Sequence, residues 1–196
     1  MTYLGVKFRT VLTDKNFPRH PKIEELTKWC EEFYRHGFTP ENEGSSAGNL
    51  SFRVDEKEDC FIITAAGLAT KSMLSDHDLS QVDSFIIGEN IVYYCGLKKP
   101  SSESLVHAVV YQARKEINAI FHGHSELIVK NASKLGMVET KKAEPEGTKE
   151  LAKAVLEVLE NNNFIIMKNH GFISLGRTME EAGRQAIEMQ EKAKTA

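Results

Sequence analysis

The chain has 196 residues, of which 41% are hydrophobic and 27% charged, and its formal net charge is -3. These proportions are ordinary for a soluble globular protein and allow a sizeable core to be buried. The small negative charge gives no basic surface for nucleic acid or an anionic membrane, so a small molecule or another protein is the expected partner.

Cysteine usage and the lengths of the apolar runs favour a cytoplasmic protein. Cys30, Cys60 and Cys95 are odd in number and form no CxxC pair, which favours neither a disulfide framework nor a zinc knuckle. The first residues lack the apolar segment of a signal peptide, and no run of about 18 apolar residues follows. We predict a single domain over residues 1–196, with residues 1–20 as an N-terminal arm.

The first half of the chain is predicted to hold one helix followed by closely spaced strands. Residues 3–12 alternate loosely, which predicts a short strand or extended arm. A helix is predicted over about 21–36 because its apolar residues share one face: Ile23, Leu26, Trp29, Cys30 and Phe33. Strands are predicted at 50–54, 60–65, 82–87 and 91–95, with a hairpin turn at residues 88–90. Strands that follow one another so closely must be largely antiparallel.

The second half alternates helices with strands. A helix is predicted to start at residues 100–103, and the apolar run SLVHAVVYQARKE behind it indicates a well-buried helix. The remaining predicted elements are a strand at 118–124, helices at about 125–135 and 148–160, strands at 164–170 and 172–176, and a closing helix at 178–193. We therefore expect an α/β fold with three α/β/α layers around a central, mostly antiparallel sheet.

Two histidines, His122 and His124, end the strand-like segment NAIFHGH. Residues i and i+2 of a strand point to the same face, about 7 Å apart at Cα, which suits two ligands of one metal. Zinc in a catalytic site typically has three protein ligands and one open position. His170, in MKNHGF, also follows an apolar strand and is the candidate third ligand. The pattern alone leaves ordinary packing roles open for all three.

Glu103 and His107 are four residues apart on the predicted helix and interrupt an apolar run. An unpaired buried carboxylate is costly, so a cation or a catalytic role would explain Glu103. The alternative is a glutamate that favours the helix dipole, with His107 as a packing residue.

The tract GSSAGN, residues 44–49, likewise has two interpretations. It is either a flexible turn or a loop whose hydroxyls, Asn49 amide and backbone N–H groups bind an anion.

Taken in order, these motifs resemble those of the class II aldolase/adducin family. The matching segments are SAGNLSFR (46–53), ITAAGL (63–68), PSSESLVHAVVYQAR (100–114), INAIFHGHS (117–125), EGTKEL (146–151) and MKNHGFISLGRTMEEA (167–182). The resemblance covers nearly everything after about residue 22, and the combination of SSE, HxH and NHG is specific.

The resemblance implies a metal-dependent lyase. His122, His124 and His170 would bind zinc or another divalent metal, and Glu103 would be the acid/base. The implied phosphate pocket consists of Ser46, Gly48, Asn49, Gly67, Ser101 and Ser102. The implied reaction cleaves or forms a C–C bond in a small hydroxyketone or sugar phosphate through a metal-stabilised enediolate. A cytoplasmic homotetramer with active sites at subunit interfaces is also implied.

The sequence departs from the family pattern at two places. Aldolases of the family commonly have ITPSG or ITPTG, whereas this chain has Ala65 and Ala66 before Gly67, so a phosphate-binding hydroxyl is missing. The segment between His124 and Gly147 is short, and the catalytic tyrosine that a neighbouring subunit supplies in family aldolases has no counterpart; Tyr111 does not align with it.

Several alternative functions remain open at this stage. They are a dehydratase, decarboxylase or epimerase of the same family, a non-catalytic adducin-like module, and an unrelated metallohydrolase. Epimerases of the family tend to have aspartate where this chain has Glu103, which disfavours that activity. Adducin-type domains lack the complete set of metal ligands.

Overall fold

The structure is a computed structural model that describes residues 6–55 and 59–196. Its helices are α1 (Ile23–Arg35), α2 (Ser104–Ala113), α3 (Glu126–Asn131), α4 (Lys149–Leu159) and α5 (Met179–Thr195). Its strands are β1 (Arg9–Asp14), β2 (Glu41–Asn42), β3 (Ser45–Ser46), β4 (Asn49–Arg53), β5 (Phe61–Thr64), β6 (Leu79–Ile86), β7 (Ile91–Cys95), β8 (Ala119–Gly123), β9 (Val138–Glu139), β10 (Phe164–Met167) and β11 (Gly171–Gly176). No helix within the described residues combines the length and apolar character needed to cross a membrane.

Nine strands form one sheet in the order β1-β7-β6-β5-β4-β8-β11-β10-β9, and β2 and β3 form a separate pair. The pairs β1/β7 and β9/β10 are parallel, and the other pairs of the large sheet are antiparallel. The expected α/β fold with a mostly antiparallel sheet is therefore confirmed. The central strands β4, β8 and β11 are buried along their whole length.

Helices cover both faces of the sheet, because alternate residues of each central strand point in opposite directions. On β8, Ile120 packs into the core beneath α2 and α4, whereas Ala119 and Phe121 pack into the core beneath α1, α3 and α5. Two apolar cores thus hold β8 in the middle layer. The strand's C-terminal end, which carries the HxH pair, is fixed by its neighbours β4 and β11.

The structure corrects two predicted boundaries. Helix α3 ends at Asn131 rather than near 135, because the following residues form tight turns that include Gly136 at φ +63°. Strand β10 ends at Met167 rather than at His170. Met167 pairs with Gly171, so the three residues between them form the hairpin loop, and Asn169 adopts a positive φ of 57° there. His170 therefore projects from a turn, not from a strand.

The predicted N-terminal arm over residues 1–20 lies partly outside the described residues, since these begin at Val6. Within the arm, β1 pairs in parallel with β7 at the edge of the sheet. The interpretation of the chain as a single domain stays a prediction.

Candidate metal centre and active site

The three candidate histidines come together at one end of the sheet. Nε2 of His122 lies 3.0 Å from Nε2 of His124, and the His170 ring centroid is 5.1 Å from the centroids of both. One ligand atom from each side chain lies within 4.8 Å of the other two. The antiparallel pairing of β8 with β11 explains the approach, because Gly123 pairs with Phe172 and so brings the preceding hairpin loop beside the HxH pair.

Glu103 completes the cluster. It is the N-cap residue of α2 and is only 4% exposed. Its Oε2 lies 2.9 Å from Nε2 of His122, and its Oε1 lies 2.9 Å from Nε2 of His170. The side-chain amide of Asn49 donates a hydrogen bond of 2.7 Å to Oε2. The helix-dipole interpretation therefore does not account for Glu103, whose carboxylate faces two of the histidines.

The hydrogen bond on the other side of the His122 ring fixes its orientation. Nδ1 lies 2.8 Å from the carbonyl oxygen of Phe172, which can only accept, so Nδ1 is the donor of this bond. Nε2 is therefore the nitrogen that faces the cluster. A backbone carbonyl that orients a ligand histidine in this way is a common feature of metal sites.

Two glycines let the backbone pass close to His122. A Cβ on Gly171 would lie 2.5 Å from the carbonyl oxygen of Gly123 and 3.0 Å from Cε1 of His122. Gly48 has φ +74°, and a Cβ there would lie 2.9 Å from the carbonyl oxygen of His122. The glycines of the NHG and SAGN motifs are therefore required by close approach around the cluster.

Burial and mutual interaction set the charges in the cluster. Burial, assisted by His122 and His170, lowers the pKa of His124 to about 3, so this imidazole is neutral at neutral pH. Burial by itself would raise the pKa of Glu103, but His122 and His170 hold it well below the ordinary value. Burial also lowers the pKa of His170, and Glu103 more than offsets this, so the net shift is upward.

This donor set fits a divalent metal. In a tetrahedral zinc site with Zn–N distances of about 2.0–2.1 Å, the ligand nitrogens are roughly 3.3 Å apart. The separation of 3.0 Å between the His122 and His124 nitrogens is close to that value. The ionised carboxylate of Glu103, 2.9 Å from Nε2 of both His122 and His170, supplies negative charge next to a bound cation.

A cavity of about 900 Å³ opens beside the cluster, and Glu103, His124 and His170 form part of its wall. All the residues of the predicted phosphate pocket also line it: Ser46, Gly48, Asn49, Gly67, Ser101 and Ser102. Ala65 and Ala66, where the expected hydroxyl is missing, line it as well. The structure thus brings the predicted anion-binding residues and two of the three predicted metal ligands, His124 and His170, to one cavity.

The hydrogen bonds separate five of the six residues of the predicted pocket into two groups. The Asn49 amide is bound to Glu103, and the Ser46 hydroxyl donates to the carbonyl oxygen of Leu68 at 2.9 Å. By contrast, the backbone N–H groups of Gly48, Gly67 and Ser102 have no backbone acceptor among the described residues. The second group is the one with donors left for a ligand.

His107 does not reach this cavity. Its ring is fully buried, and Nδ1 lies 2.7 Å from the hydroxyl of Ser51, which in turn lies 2.8 Å from the hydroxyl of Tyr111. Burial lowers the pKa of His107 to about 3. These contacts agree with the packing role that the sequence left open for His107.

Lys71 is a cavity residue that the sequence did not reveal. Its side chain is 2% exposed, and Nζ donates to the carbonyl oxygens of Ser46 and Ala47 and to the Ser46 hydroxyl. Burial lowers the pKa of Lys71 to about 8, although Cys30 and Glu103 act against this shift. A lysine between threonine and serine in a polar loop normally indicates a solvated side chain, so no signal in the sequence separated it from other lysines.

Comparison with known proteins gives a consistent result. Residues 24–196 match the family model described as the Class II Aldolase and Adducin N-terminal domain. An L-fuculose phosphate aldolase of Methanococcus maripaludis is 31% identical, and the match covers 82% of this chain and 87% of that protein. A methylthioribulose-1-phosphate dehydratase of Leptospira interrogans is 32% identical over 58% of this chain and 45% of its own length. The fold is similar to a solved L-fuculose 1-phosphate aldolase, with a TM-score of 0.74 and 24% identity, over 90% of this chain and 85% of that one.

Proposed function

Since the chain belongs to the class II aldolase and adducin family, we propose that it is a metal-dependent lyase that cleaves or forms a C–C bond in a small phosphorylated hydroxyketone. The observation that carries this proposal is the cluster of three histidines and one buried carboxylate, of which His124, His170 and Glu103 line a cavity. The aldolases named among its relatives support the same chemistry.

His122, His124 and His170 are the proposed metal ligands, and zinc is the metal that their nitrogen donors favour. The bound metal supplies Lewis-acid polarisation of the substrate's oxygen atoms. The protein's part is to aim the ligand nitrogens at one point. The carbonyl of Phe172 orients the ring of His122, and burial keeps His124 unprotonated at neutral pH.

Glu103 is the proposed acid/base. Its low pKa keeps it ionised, and the Asn49 amide fixes one carboxylate oxygen. In the synthetic direction, the ionised Glu103 takes a proton from the substrate carbon that forms the new bond. Cleavage is the reverse: Glu103 first receives a proton from solvent, gives it to the substrate carbon that has lost its bond, and returns to its ionised form.

The substrate's phosphate is proposed to bind at the Gly48, Gly67, Ser101 and Ser102 part of the cavity wall. The hydroxyl of Ser101 accepts the Glu103 N–H at 3.4 Å, which leaves its own proton for a ligand oxygen. Because Ser101 and Glu103 are two residues apart, a phosphate bound there would hold the rest of the substrate next to the carboxylate.

A dehydratase acting on a similar phosphorylated ketose is the second candidate. A methylthioribulose-1-phosphate dehydratase is among the relatives. In addition, no residue within the described part of the chain is assigned as the second acid/base group that an aldol reaction requires besides Glu103. Tyr111 does not fill that role, because it is fully buried against Ser51 and does not line the cavity. The products distinguish the two reactions, since an aldolase yields two carbonyl fragments and a dehydratase yields water and one product.

The test combines metal analysis with a substrate screen. We expect about one divalent metal per chain by mass spectrometry of the metal-reconstituted protein, and loss of that metal in His122→Ala and His170→Ala. His36→Ala is the control, because His36 follows α1 and lies outside the cluster. Unchanged metal content in both cluster variants would contradict the proposed ligands. Turnover of ketose 1-phosphates, with product analysis, then decides between aldolase and dehydratase.

The assembly and location belong to the same proposal. We propose a cytoplasmic homotetramer whose active sites lie at subunit interfaces, where a neighbouring chain would supply the missing acid. Light scattering of the purified protein tests the subunit count, and a monomer with full activity would contradict the shared site.

A further inference from the structure

Lys71 holds an ammonium group in the cavity wall that forms no ion pair with a carboxylate of the described residues. Its side chain is 2% exposed, and among residues 6–55 and 59–196 its Nζ has no carboxylate within ion-pair distance. All its hydrogen-bond acceptors are neutral oxygens of Ser46 and Ala47, at 2.8–3.2 Å. A buried cation with only neutral partners is unfavourable unless an anion comes close to it.

The same contacts fasten two loops of the cavity wall together. Both the N–H and the hydroxyl of Ser46 donate to the carbonyl oxygen of Leu68, at 2.7 and 2.9 Å. Lys71, which follows Leu68 in the second loop, donates hydrogen bonds to Ser46 and Ala47 in the first loop, so each loop donates to the other. The three N–H bonds of its ammonium are all used in this way, so Lys71 shapes the wall and is not free to act as a nucleophile.

The region beside this connection is suited to a phosphate. Besides Lys71, the described cavity lining has two lysines, and each lies near a carboxylate: Lys7 is 4.0 Å from Glu146, and Lys168 is 3.9 Å from Glu139. Gly48, Gly67 and Ser102 line this region with backbone N–H groups that have no backbone acceptor in the described part of the chain. Ala65 and Ala66 contribute no hydroxyl, and Glu103 adds a negative charge nearby. A dianionic phosphate therefore needs a cation at this end of the cavity.

We propose that Lys71 is a positioning residue for the substrate's phosphate: it places one positive charge behind the loop Ser46–Ala47 and holds that loop so that the N–H of Gly48 is available to the phosphate oxygens. This inference rests on the proposed function, because it takes the phosphorylated end of the substrate to lie at Gly48 and Ser102. Lys71 lies outside all the recognised motifs. Its charge would stabilise the phosphate where this chain, with Ala66, lacks the hydroxyl of related loops.

The test measures the binding of inorganic phosphate by calorimetry to the intact protein, without any substrate. We expect Lys71→Met and Lys71→Gln to weaken binding at least tenfold. Gln keeps a hydrogen-bond donor but has no charge. Lys168→Met is the matched control, since Lys168 lines the same cavity near His170, and we expect less than a threefold effect. Phosphate affinity within twofold of wild type in either Lys71 variant would overturn the proposal, as would an equal loss in the control.

A second measurement does not depend on whether the variants fold. Sulfate keeps its charge between pH 7 and 9.5, whereas Lys71 loses its proton over this range because burial lowers its pKa to about 8. Three titratable groups interact with Lys71. Burial raises the pKa of Cys30 to about 12 and lowers that of His124 to about 3, and Glu103 stays ionised because its pKa is lowered, so none of them changes charge in this range. We expect sulfate affinity to fall at least tenfold in wild type. Affinity that is constant over the range overturns the proposal.

These results also separate this inference from the proposed function. Phosphate binding that depends on Lys71, in a protein that turns over no ketose phosphate, supports the anion site and contradicts the lyase. Lyase activity, together with phosphate binding that does not change in the Lys71 variants, supports the lyase and contradicts the proposed role of Lys71.

Discussion

Oε1 of Glu103 lies 2.9 Å from Nε2 of His170, so the N-cap residue of α2 touches the hairpin loop that follows β10. The same carboxylate contacts His122 through its other oxygen. Because Glu103 faces two proposed ligands yet stays ionised, it combines the position and the charge of a general base.

We predict that Glu103→Gln lowers kcat by about 10²–10⁴-fold, the usual contribution of a general acid/base. The metal content should stay near wild type, because the three histidines remain. Steady-state kinetics on the substrate found by screening, together with metal analysis, provide the measurement.

Glu144→Gln is the control for that experiment, since Glu144 lines the same cavity and loses the same charge. We expect less than about a fivefold change in kcat for this variant. If Glu103→Gln kept full turnover, the acid/base role would be wrong, and another group would have to move the proton.

We predict that Ala66→Ser raises the affinity for inorganic phosphate. Ala66 lines the cavity at the position where related ITPSG loops carry a hydroxyl. One added hydrogen bond of about 1 kcal/mol corresponds to roughly a fivefold lower Kd. Calorimetry at constant pH provides the measurement. Ala69→Ser, an exposed change in the same loop that does not line the cavity, should leave Kd unchanged.

Much of the metal cluster follows from local rules. The i, i+2 spacing of His122 and His124 on a strand requires them to share a face, and the structure places their ring centroids 4.7 Å apart. The three layers follow from apolar faces of the right period, such as that of α1.

The rest of the site depends on tertiary pairing that periodicity does not contain. Asn49 meets Glu103 because β4 lies next to β8, and the sequence does not specify this strand order. His170 was expected on a strand, but the pairing of Met167 with Gly171 moves it into a loop. Lys71 is buried only because the loop that contains Ser46 folds over it.

We predict that Arg53→Met lowers the free energy of unfolding by about 3–5 kcal/mol. The guanidinium is fully buried, pairs with Asp59 at 3.1 Å and donates to the backbone carbonyls of Ile117, Tyr111 and Arg114. Methionine fills similar volume but leaves these buried carbonyls without a donor. Urea unfolding followed by circular dichroism provides the measurement.

Arg35→Met is the control for this stability prediction. Arg35 is exposed at the end of α1, and its ion pairs within the described part of the chain are with Glu31 and Glu32 of the same helix. Exposed pairs of this kind contribute about 0–1 kcal/mol. Equal destabilisation by the two substitutions would show that the buried contacts of Arg53 add nothing.

The last prediction concerns how Lys71 affects stability as the pH changes. Burial lowers its pKa in the folded protein from 10.5 to about 8. Below pH 8 the group is charged in both states, and folding must bury that charge. Above about pH 10.5 it is neutral in both states, and this penalty is absent. The unfolded state binds more protons between these limits, so the contribution of Lys71 to stability rises with pH.

The quantity to follow is the difference between two free energies of unfolding, that of wild type minus that of Lys71→Met. We expect this difference to rise by on the order of 3 kcal/mol between pH 8 and 10.5. The difference must be used because burial raises the pKa of Cys30 and of Tyr111, and both groups lose stabilisation as the pH rises. Both groups are present in both proteins, so their contributions cancel, apart from the interaction of Cys30 with Lys71 itself. Urea unfolding at several pH values provides the measurement. A difference that stays flat or falls would mean that Lys71 is not a buried cation at neutral pH.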